Sequence, residues 1–434
     1  MRLQGRRFVG RRQSAGEAKT VNAMAKQDMK AAGEGGSVWS RVVVESGRIF
    51  FGALDKLFYC LDTRGNLLWT FRTGDRITAS SVASKGRIYF CSMDGHIYAL
   101  TFDGKELWKY RTGDSMYSSP VVYDDVVYCA SMDGYVYALS CADGKLVWKF
   151  HVGSEIGTGI GILNGRVVFG ACSGTVYCLG LDGKMLWDYK AGEEFQNYGG
   201  PLWIHEGVLF ISNTNRYLYA IDSNGNVKWK YFLNDYPILT TYRDTLYAAL
   251  SNGELLAFSL SGKVLWTYKF PTKASAVVSD GKALYASCEN GDFYSLSFNG
   301  TLLRKEYLNI GDFVVWPVVH NGIIYGGGDL CYFYALDPKD LGILWKFATS
   351  NPVRSEWRMV GFAPEKEEER KKKYYGRPTL VSEKMAYVDG KAVVQEQKFS
   401  EAYSSGATTY FKTGVYEQGS GPSGYQMGRK RAER

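Results

Sequence analysis

Residues 86–114 read GRIYFCSMDGHIYALTFDGKELWKYRTGD, and this stretch is one copy of a unit that recurs along most of the chain. Trp108 marks the copy, and the matching position returns every 37 to 42 residues. The residues at this position are Trp69, Trp108, Trp148, Trp187, Trp229, Trp266, Arg304 and Trp345. A period near 40 residues with several short strands in each copy predicts an eight-bladed β-propeller, because a lone sheet cannot cover both of its faces.

Each copy contains strand and turn signals. Residues 88–91 and 97–100 carry apolar side chains at both alternating positions, which is typical of strands covered on both faces. Asp94-Gly95 and Asp103-Gly104 follow these runs and supply glycine where a tight hairpin turn needs a positive φ. We therefore predict an all-β fold of four-stranded antiparallel blades, with the tryptophan on the outermost strand.

A glycine precedes the tryptophan position by four residues in seven copies. These glycines are Gly65, Gly104, Gly144, Gly183, Gly225, Gly262 and Gly300. Copy eight instead has Gly342, three residues before Trp345, and copy seven has Arg304 in the tryptophan position. We expect the edge of blade seven to be more loosely packed than the others.

The repeat resembles that of the PQQ-like (quinoprotein and BamB-type) eight-bladed β-propeller family. The resemblance rests on Tyr98-Ala99-Leu100 with Gly104-Lys105 and Trp108, and on the same pattern around Trp148. Some members are quinoprotein dehydrogenases that hold pyrroloquinoline quinone (PQQ) and calcium in the central channel. Catalytically silent members present a rigid face to other proteins. The resemblance therefore implies either an interaction scaffold or a propeller that binds PQQ, another quinone or a small molecule, as an oxidoreductase would.

Hallmarks of the enzymatic members are missing from the sequence. No two cysteines are adjacent, and there is no Cys-x-x-Cys-His haem motif. No stretch matches the motifs that hold the catalytic carboxylates or calcium ligands, so PQQ and calcium are implied by the resemblance only. We predict no enzyme activity and no catalytic, cofactor-binding or metal-binding residue.

Other catalytic and metal-binding patterns are also missing. The four histidines stand singly in separate copies, at no metal-ligand spacing. They are His96, His151, His205 and His320. We interpret Cys91, Cys129, Cys172 and Cys288, near the ends of second strands, as small thiols in a reducing compartment.

Charge divides the chain into three parts. Residues 1–39 carry eight Lys and Arg against three Asp and Glu, and residues 351–434 carry sixteen against eleven. The propeller, residues 40–350, is nearly neutral, so the formal net charge of +8 belongs to the two ends. This distribution argues against a specific nucleic-acid partner, which would favour a basic stripe on the folded surface.

The amino-terminal part is predicted to be a basic leader, mostly disordered. It has no apolar core segment of the kind that marks a secretion signal. Five arginines precede the first acidic residue, Glu17, as in some mitochondrial presequences. No run of about 18 apolar residues suggests a transmembrane segment. We predict a cytoplasmic protein, with a mitochondrial location as the alternative.

Residues 351–434 are predicted to be a charged linker followed by a basic tail with scattered tyrosines. Such a composition does not build its own core. Aromatic residues spaced along it suit an arm that becomes ordered on a partner. An idle tail is the alternative.

The crossings between blades are the expected contact surface, because loops at the rim of a rigid scaffold commonly carry binding residues. The predicted interaction rim consists of eight residues near the starts of inner strands, with channel lining as the alternative role for each. They are Arg76, Met116, Glu155, Phe195, Tyr198, Tyr236, Phe313 and Trp316. We predict a scaffold for protein partners or a multi-subunit assembly, into which the terminal arms dock.

Overall fold

The computed structural model describes residues 36–192, 202–213, 215–235, 237–308, 317–328 and 330–349, together with four short strands nearer the carboxyl terminus. The chain divides into two compact units, Met1–Val353 and Arg354–Arg434. The described part of the first unit forms eight four-stranded sheets and contains no helix. The predicted all-β, eight-bladed propeller is therefore confirmed.

The sheets follow one another along the chain, and each pairs its four strands antiparallel in sequence order. Blades one and two consist of β1 Val43–Glu45, β2 Arg48–Gly52, β3 Leu57–Asp62, β4 Leu67–Arg72, β5 Val82–Ser84, β6 Arg87–Cys91, β7 His96–Thr101 and β8 Glu106–Arg111. Blades three and four consist of β9 Val121–Tyr123, β10 Val126–Ala130, β11 Tyr135–Ser140, β12 Leu146–His151, β13 Gly161–Ile162, β14 Val167–Ala171, β15 Thr175–Leu179 and β16 Met185–Lys190.

The second half of the ring repeats this plan. Blades five and six consist of β17 Trp203–His205, β18 Val208–Ser212, β19 Tyr217–Asp222, β20 Val227–Phe232, β21 Pro237–Tyr242, β22 Thr245–Leu250, β23 Glu254–Ser259 and β24 Val264–Lys269. Blades seven and eight consist of β25 Ala274–Ser279, β26 Leu284–Cys288, β27 Asp292–Leu296, β28 Leu302–Tyr307, β29 Val318–His320, β30 Ile323–Gly327, β31 Tyr332–Leu336 and β32 Ile343–Ala348.

The first strands of the blades surround the centre of the ring. Each contacts the first strand of the next blade in turn, and β29 contacts β1 to complete the circle. The second and third strands are buried along nearly their whole length, as β6 and β7 show, because neighbouring blades cover both faces. The fourth strands form the outer edge and alternate between exposed and partly buried residues, as in β12.

Each blade tryptophan packs on the turn of the next blade as well as on residues of its own blade. The Trp108 ring lies against Gly144, where an added Cβ would come within 2.6 Å of the ring, and its Nε1 donates to the Cys141 carbonyl at 3.1 Å. A β-bulge accompanies this position in all eight blades, beside the tryptophan in seven and beside Arg304 in blade seven. Such bulges redirect side chains. In seven blades the turn glycine is therefore the contact site of the tryptophan of the preceding blade.

This rule accounts for the two irregular copies. Arg304 replaces tryptophan in blade seven, so blade seven places no tryptophan against the turn of blade eight. The residue with positive φ in that turn is Leu341, at 61°, and its N–H donates to the Asp337 carbonyl as Gly144 N–H donates to Ser140 in blade three. Leu341 is fully buried. Gly342 is therefore not the equivalent of the other turn glycines.

The ring is closed by contacts between blades eight and one. Trp345 Nε1 donates to the Thr63 carbonyl at 3.2 Å, and its ring lies against Gly65. Val38 is fully buried beside Gly327, whose Cβ, if present, would come within 2.3 Å of Val38 Cβ. All four strands of blade eight come from one stretch, so closure depends on these contacts and not on a blade shared between the two ends.

The described part of the second unit contains two small antiparallel pairs. They are β33 Ala386–Val388 with β34 Lys391–Val393, and β35 Gln397–Phe399 with β36 Thr413–Val415.

Candidate functional site

The turns of the propeller lie on two opposite faces because neighbouring strands run in opposite directions. The crossings between blades share one face with the turns that join second and third strands, and we call this face the crossing rim. The crossings that the structure describes without a gap are residues 73–81, 112–120, 152–160 and 270–273. The turns between third and fourth strands, including Arg64, lie on the opposite face.

Aspartates tie the crossing rim together from blade to blade. Asp94 Oδ2 accepts hydrogen bonds from Gly74 N–H and from Tyr98 Oη, both at 2.7 Å. Asp133 repeats the pattern one blade later with Gly113 and Tyr137, at 2.7 and 2.6 Å. Burial and the bond to Asp94 raise the pKa of Tyr98, so the phenol stays protonated and donates. These contacts hold the crossings in fixed positions.

In blade one the corresponding carboxyl is fully buried. Asp55 Oδ2 lies 2.6 Å from Tyr59 Oη, and Oδ1 accepts from Leu57 N–H at 3.1 Å. Burial raises the pKa of Asp55 to about 7. Tyr59 Oη also lies within bonding distance of the Thr349 carbonyl, so one phenolic proton faces two acceptors. A protonated Asp55 satisfies both contacts, since it donates to Tyr59 while Tyr59 donates to Thr349.

The structure describes three of the predicted rim residues. Arg76 and Glu155 are partly exposed and occupy equivalent positions, since their carbonyls accept from the N–H groups of Met93 and Cys172 at 2.9 and 2.8 Å. Met116 is wrong as a rim residue. It is fully buried among core residues of blades two and three, because it lies one position further along the repeat.

The hydrogen-bond register also reveals rim positions that sequence analysis missed. Ser115 and Lys273 are the equivalents of Arg76 in their own crossings, since their carbonyls accept from Met132 and Glu289 N–H. The sequence contained a signal for Ser115, because Ser115 follows Thr112-Gly113 at the same distance as Arg76 follows Thr73-Gly74. The remaining predicted rim residues lie outside the described part of the chain. They are Phe195, Tyr198, Tyr236, Phe313 and Trp316.

A small cavity of about 30 Å³ lies among the innermost segments of five blades. Its wall includes Arg41, Trp203 and Thr240 beside aliphatic residues. The Arg41 guanidinium lies over the Trp203 ring, 5.8 Å from its centroid, and burial lowers the pKa of the guanidinium. Nothing in the sequence linked these residues, because they belong to separate blades.

The cavity does not fit the PQQ and calcium that quinoprotein members hold. Its volume suits a group of a few atoms, not a tricyclic quinone, and its described lining contains no carboxylate that could bind calcium. One group elsewhere in the described chain could hold a metal ion. His205, Glu206 and Asp244 place ligand atoms within 4.8 Å of one another, in turns of blades five and six, and both acids are exposed.

Solved structures with the same fold include several propellers. BamB from Moraxella catarrhalis is 17% identical with a TM-score of 0.58, and the match covers 67% of this chain and 91% of that chain. Sqt1 of Saccharomyces cerevisiae is 17% identical with a TM-score of 0.59, covering 68% and 94%. The quinohemoprotein alcohol dehydrogenase ADHIIG from Pseudomonas putida HK5 is 13% identical with a TM-score of 0.57, covering 69% and 70%. At these identities the likeness concerns the fold.

Two curated relatives carry the name outer membrane protein assembly factor BamB. The protein from Burkholderia pseudomallei is 30% identical over a 133-residue alignment that covers 28% of this chain and 34% of that protein. The protein from Shewanella oneidensis is 24% identical over a 210-residue alignment that covers 40% of this chain and 53% of that protein. The alignments thus span between a third and about half of the relatives' length.

These relatives overturn the predicted location. The cytoplasmic assignment and its mitochondrial alternative are wrong, because the relatives are assembly factors for outer membrane proteins. The cytoplasmic assignment rested on the lack of an apolar segment in the first residues, and the mitochondrial alternative rested on the arginines there. In the described residues, no helix has the length and apolar character needed to cross a membrane.

The family comparison covers most of the propeller. A sequence profile described as outer membrane protein assembly factor BamB matches residues 55–155 and 132–347, and so reaches from blade one to blade eight. The matched region is more than half of the 434-residue chain. The predicted resemblance is confirmed, and the chain belongs to the PQQ-like family of the outer membrane protein assembly factor BamB.

Proposed function

We propose that this protein is a non-enzymatic interaction scaffold in outer membrane protein assembly and that its crossing rim binds the partner proteins. Membership of the BamB family supports the assembly role. The names of both curated relatives agree with a protein that is not an enzyme.

The observation that carries the proposal is the rigid construction of the crossing rim. Asp94 and Asp133 bind backbone N–H groups of the preceding crossings at 2.7 Å, so these crossings are fixed before a partner arrives. A preorganised surface loses less conformational entropy on binding than a flexible one. Rigid loops of this kind suit recognition of a protein surface.

Charged side chains occupy equivalent positions around the described part of this rim. Arg76, Glu155 and Lys273 begin the inner segments of three different blades and are partly exposed. Charges of both signs at defined positions favour one orientation of a partner, since complementary charge sets specificity and association rate. The aromatic rim residues Phe195, Tyr198, Tyr236, Phe313 and Trp316 are the proposed anchors beside them. The docking of residues 1–39 and 351–434 into the assembly stays a prediction.

Charge reversal on the two faces tests the proposal. Tagged full-length protein is titrated with the outer membrane protein assembly complex purified from the source organism, and retained subunits are quantified. Arg76→Glu should weaken binding about tenfold or more, as expected for loss of an interface anchor. Arg64→Glu makes the same charge change on the opposite face and should leave binding within about twofold.

Circular dichroism of both variants checks that the propeller remains folded. Equal binding by folded Arg76→Glu and unaltered protein would remove the crossing rim from the interface. A loss confined to Arg64→Glu would move the interface to the opposite face.

A further inference from the structure

The small cavity lies on the axis of the propeller. Its wall combines Arg41, which precedes β1, with Trp203 of β17 and Thr240 of β21. The other residues of the wall are aliphatic and belong to blades six, seven and eight. They are Ile238, Val277, Val278 and Pro317. Because first strands surround the centre of the ring, a cavity shared by five blades is central.

Arg41 is the only charged residue in the described wall of this cavity. Its backbone N–H donates to Ser80 Oγ at 3.2 Å. Within the described chain, its side chain forms no hydrogen bond or ion pair, and its aromatic partner is the face of Trp203. The guanidinium therefore has five N–H donors and no oxygen acceptor among the described residues.

Such an arrangement leaves the guanidinium donors of Arg41 available to an anion. Arg41 is partly exposed, so water satisfies part of its hydrogen-bonding capacity and the ring face of Trp203 covers another part. Partial burial lowers the pKa of Arg41, although the group stays charged at neutral pH. Thr240 is buried and adds one hydroxyl that can donate to the same anion.

The size and lining of the cavity narrow the class of anion. A volume of about 30 Å³ accepts a group about the size of two water molecules, which is the size of one carboxylate group without its hydrocarbon part. The guanidinium fork matches the two oxygens of a carboxylate, and the valines and Ile238 can contact the carbon atoms attached to it. A phosphate has more oxygens than a carboxylate, and the aliphatic wall has no hydrogen-bond donors for the additional oxygens.

We propose that the axial cavity is a carboxylate-binding site in which Arg41, held over Trp203, binds both oxygens and the aliphatic wall contacts a short alkyl group. The carboxylate belongs either to a free short-chain acid or to a peptide carboxyl terminus. This inference does not depend on the scaffold function.

Titration calorimetry tests the proposed carboxylate site. Sodium acetate is titrated into the full-length protein at constant ionic strength in a buffer without chloride. Acetamide has nearly the same shape without charge and serves as the ligand control. Acetate should bind and raise the melting temperature, whereas acetamide should do neither. A response of equal size to both compounds, or none to acetate, would overturn the proposal, and this comparison needs no variant.

Variants then assign the site. Arg41→Gln should weaken acetate binding roughly tenfold or more, as expected for loss of a charged hydrogen bond. Arg41→Lys should lose less acetate affinity than Arg41→Gln, because lysine keeps the positive charge although it lacks the two-pronged guanidinium. Arg64→Gln removes an exposed arginine and should bind as the unaltered protein does. Unchanged affinity in folded Arg41→Gln would also overturn the proposal.

A final comparison separates the two sources of the carboxylate. Acetyl-glycyl-glycine is tested with a free and with an amidated carboxyl terminus. Tighter binding of the free peptide than of acetate identifies a peptide terminus, and tighter binding of acetate identifies a free acid. Both results support the carboxylate site, whereas equal binding of the amidated and free peptides contradicts it.

Discussion

Replacing Gly144 by alanine tests the contact that joins each blade to the next. Gly144 has a φ of +70°, and a Cβ there would lie 2.6 Å from Cδ2 and 2.7 Å from Cε3 of Trp108. Gly86→Ala is a matched control. Gly86 has a φ of +75° in a turn between first and second strands, with nothing within 4 Å of an added Cβ.

Both substitutions place a side chain on a residue with positive φ, but only Gly144→Ala also crowds a tryptophan ring. An L-residue in the left-handed region costs about 1–2 kcal/mol, and both variants lose this amount. Overpacking against a buried ring adds about 1–3 kcal/mol, and only Gly144→Ala meets one. Gly144→Ala should therefore lower the free energy of unfolding by about 2–5 kcal/mol, against about 1–2 kcal/mol for Gly86→Ala.

Urea unfolding followed by far-ultraviolet circular dichroism measures these differences, with equal m-values as the check on a common unfolding transition. Trp108→Ala should cost about 3–5 kcal/mol by itself. In the Trp108→Ala/Gly144→Ala double variant the methyl group no longer meets a ring, so the losses should fall short of additivity by about 1–3 kcal/mol. Equal losses in Gly144→Ala and Gly86→Ala, or additive losses in the double variant, would refute the reasoning.

Two further predictions concern the irregular blades and the buried carboxyl. Arg304→Trp should be destabilising because Leu341 occupies the place of the glycine that receives the ring in the other blades. In the same urea assay, the Arg304→Trp/Leu341→Gly double variant should be more stable than the sum of the single changes predicts, by at least about 1 kcal/mol. Additive effects would contradict the pairing of the two positions. The pKa of Asp55, about 7 in the folded protein, is near 3.9 in an unfolded chain. The folded state therefore binds the extra proton between these values, and stability falls as pH rises from about 4 to 7, by up to roughly 4 kcal/mol. Asp55→Asn, which stays neutral, should flatten this slope in melting temperatures recorded from pH 4.5 to 8, and an unchanged slope would mean that Asp55 is ionised.

The sequence by itself determined the blades, because each strand and turn depends on neighbours in the chain. The tryptophan spacing predicted eight blades, and Asp94-Gly95 marked a hairpin turn that the structure contains. The same periodic pattern placed residues on the crossing rim only to within one position, which is why Met116 was chosen where Ser115 has the rim position.

Only the tertiary structure decided which residues of different blades meet. The spacing associated Gly144 with Trp148 of its own blade, whereas packing brings it to Trp108. Arg41 and Trp203 approach each other because the ring brings the first strands of all blades to one axis. A repeat pattern describes every blade by the same rule, and it contains no information about side chains that meet once, at the centre. Those single contacts arise from closure of the ring, and the axial cavity arises with them.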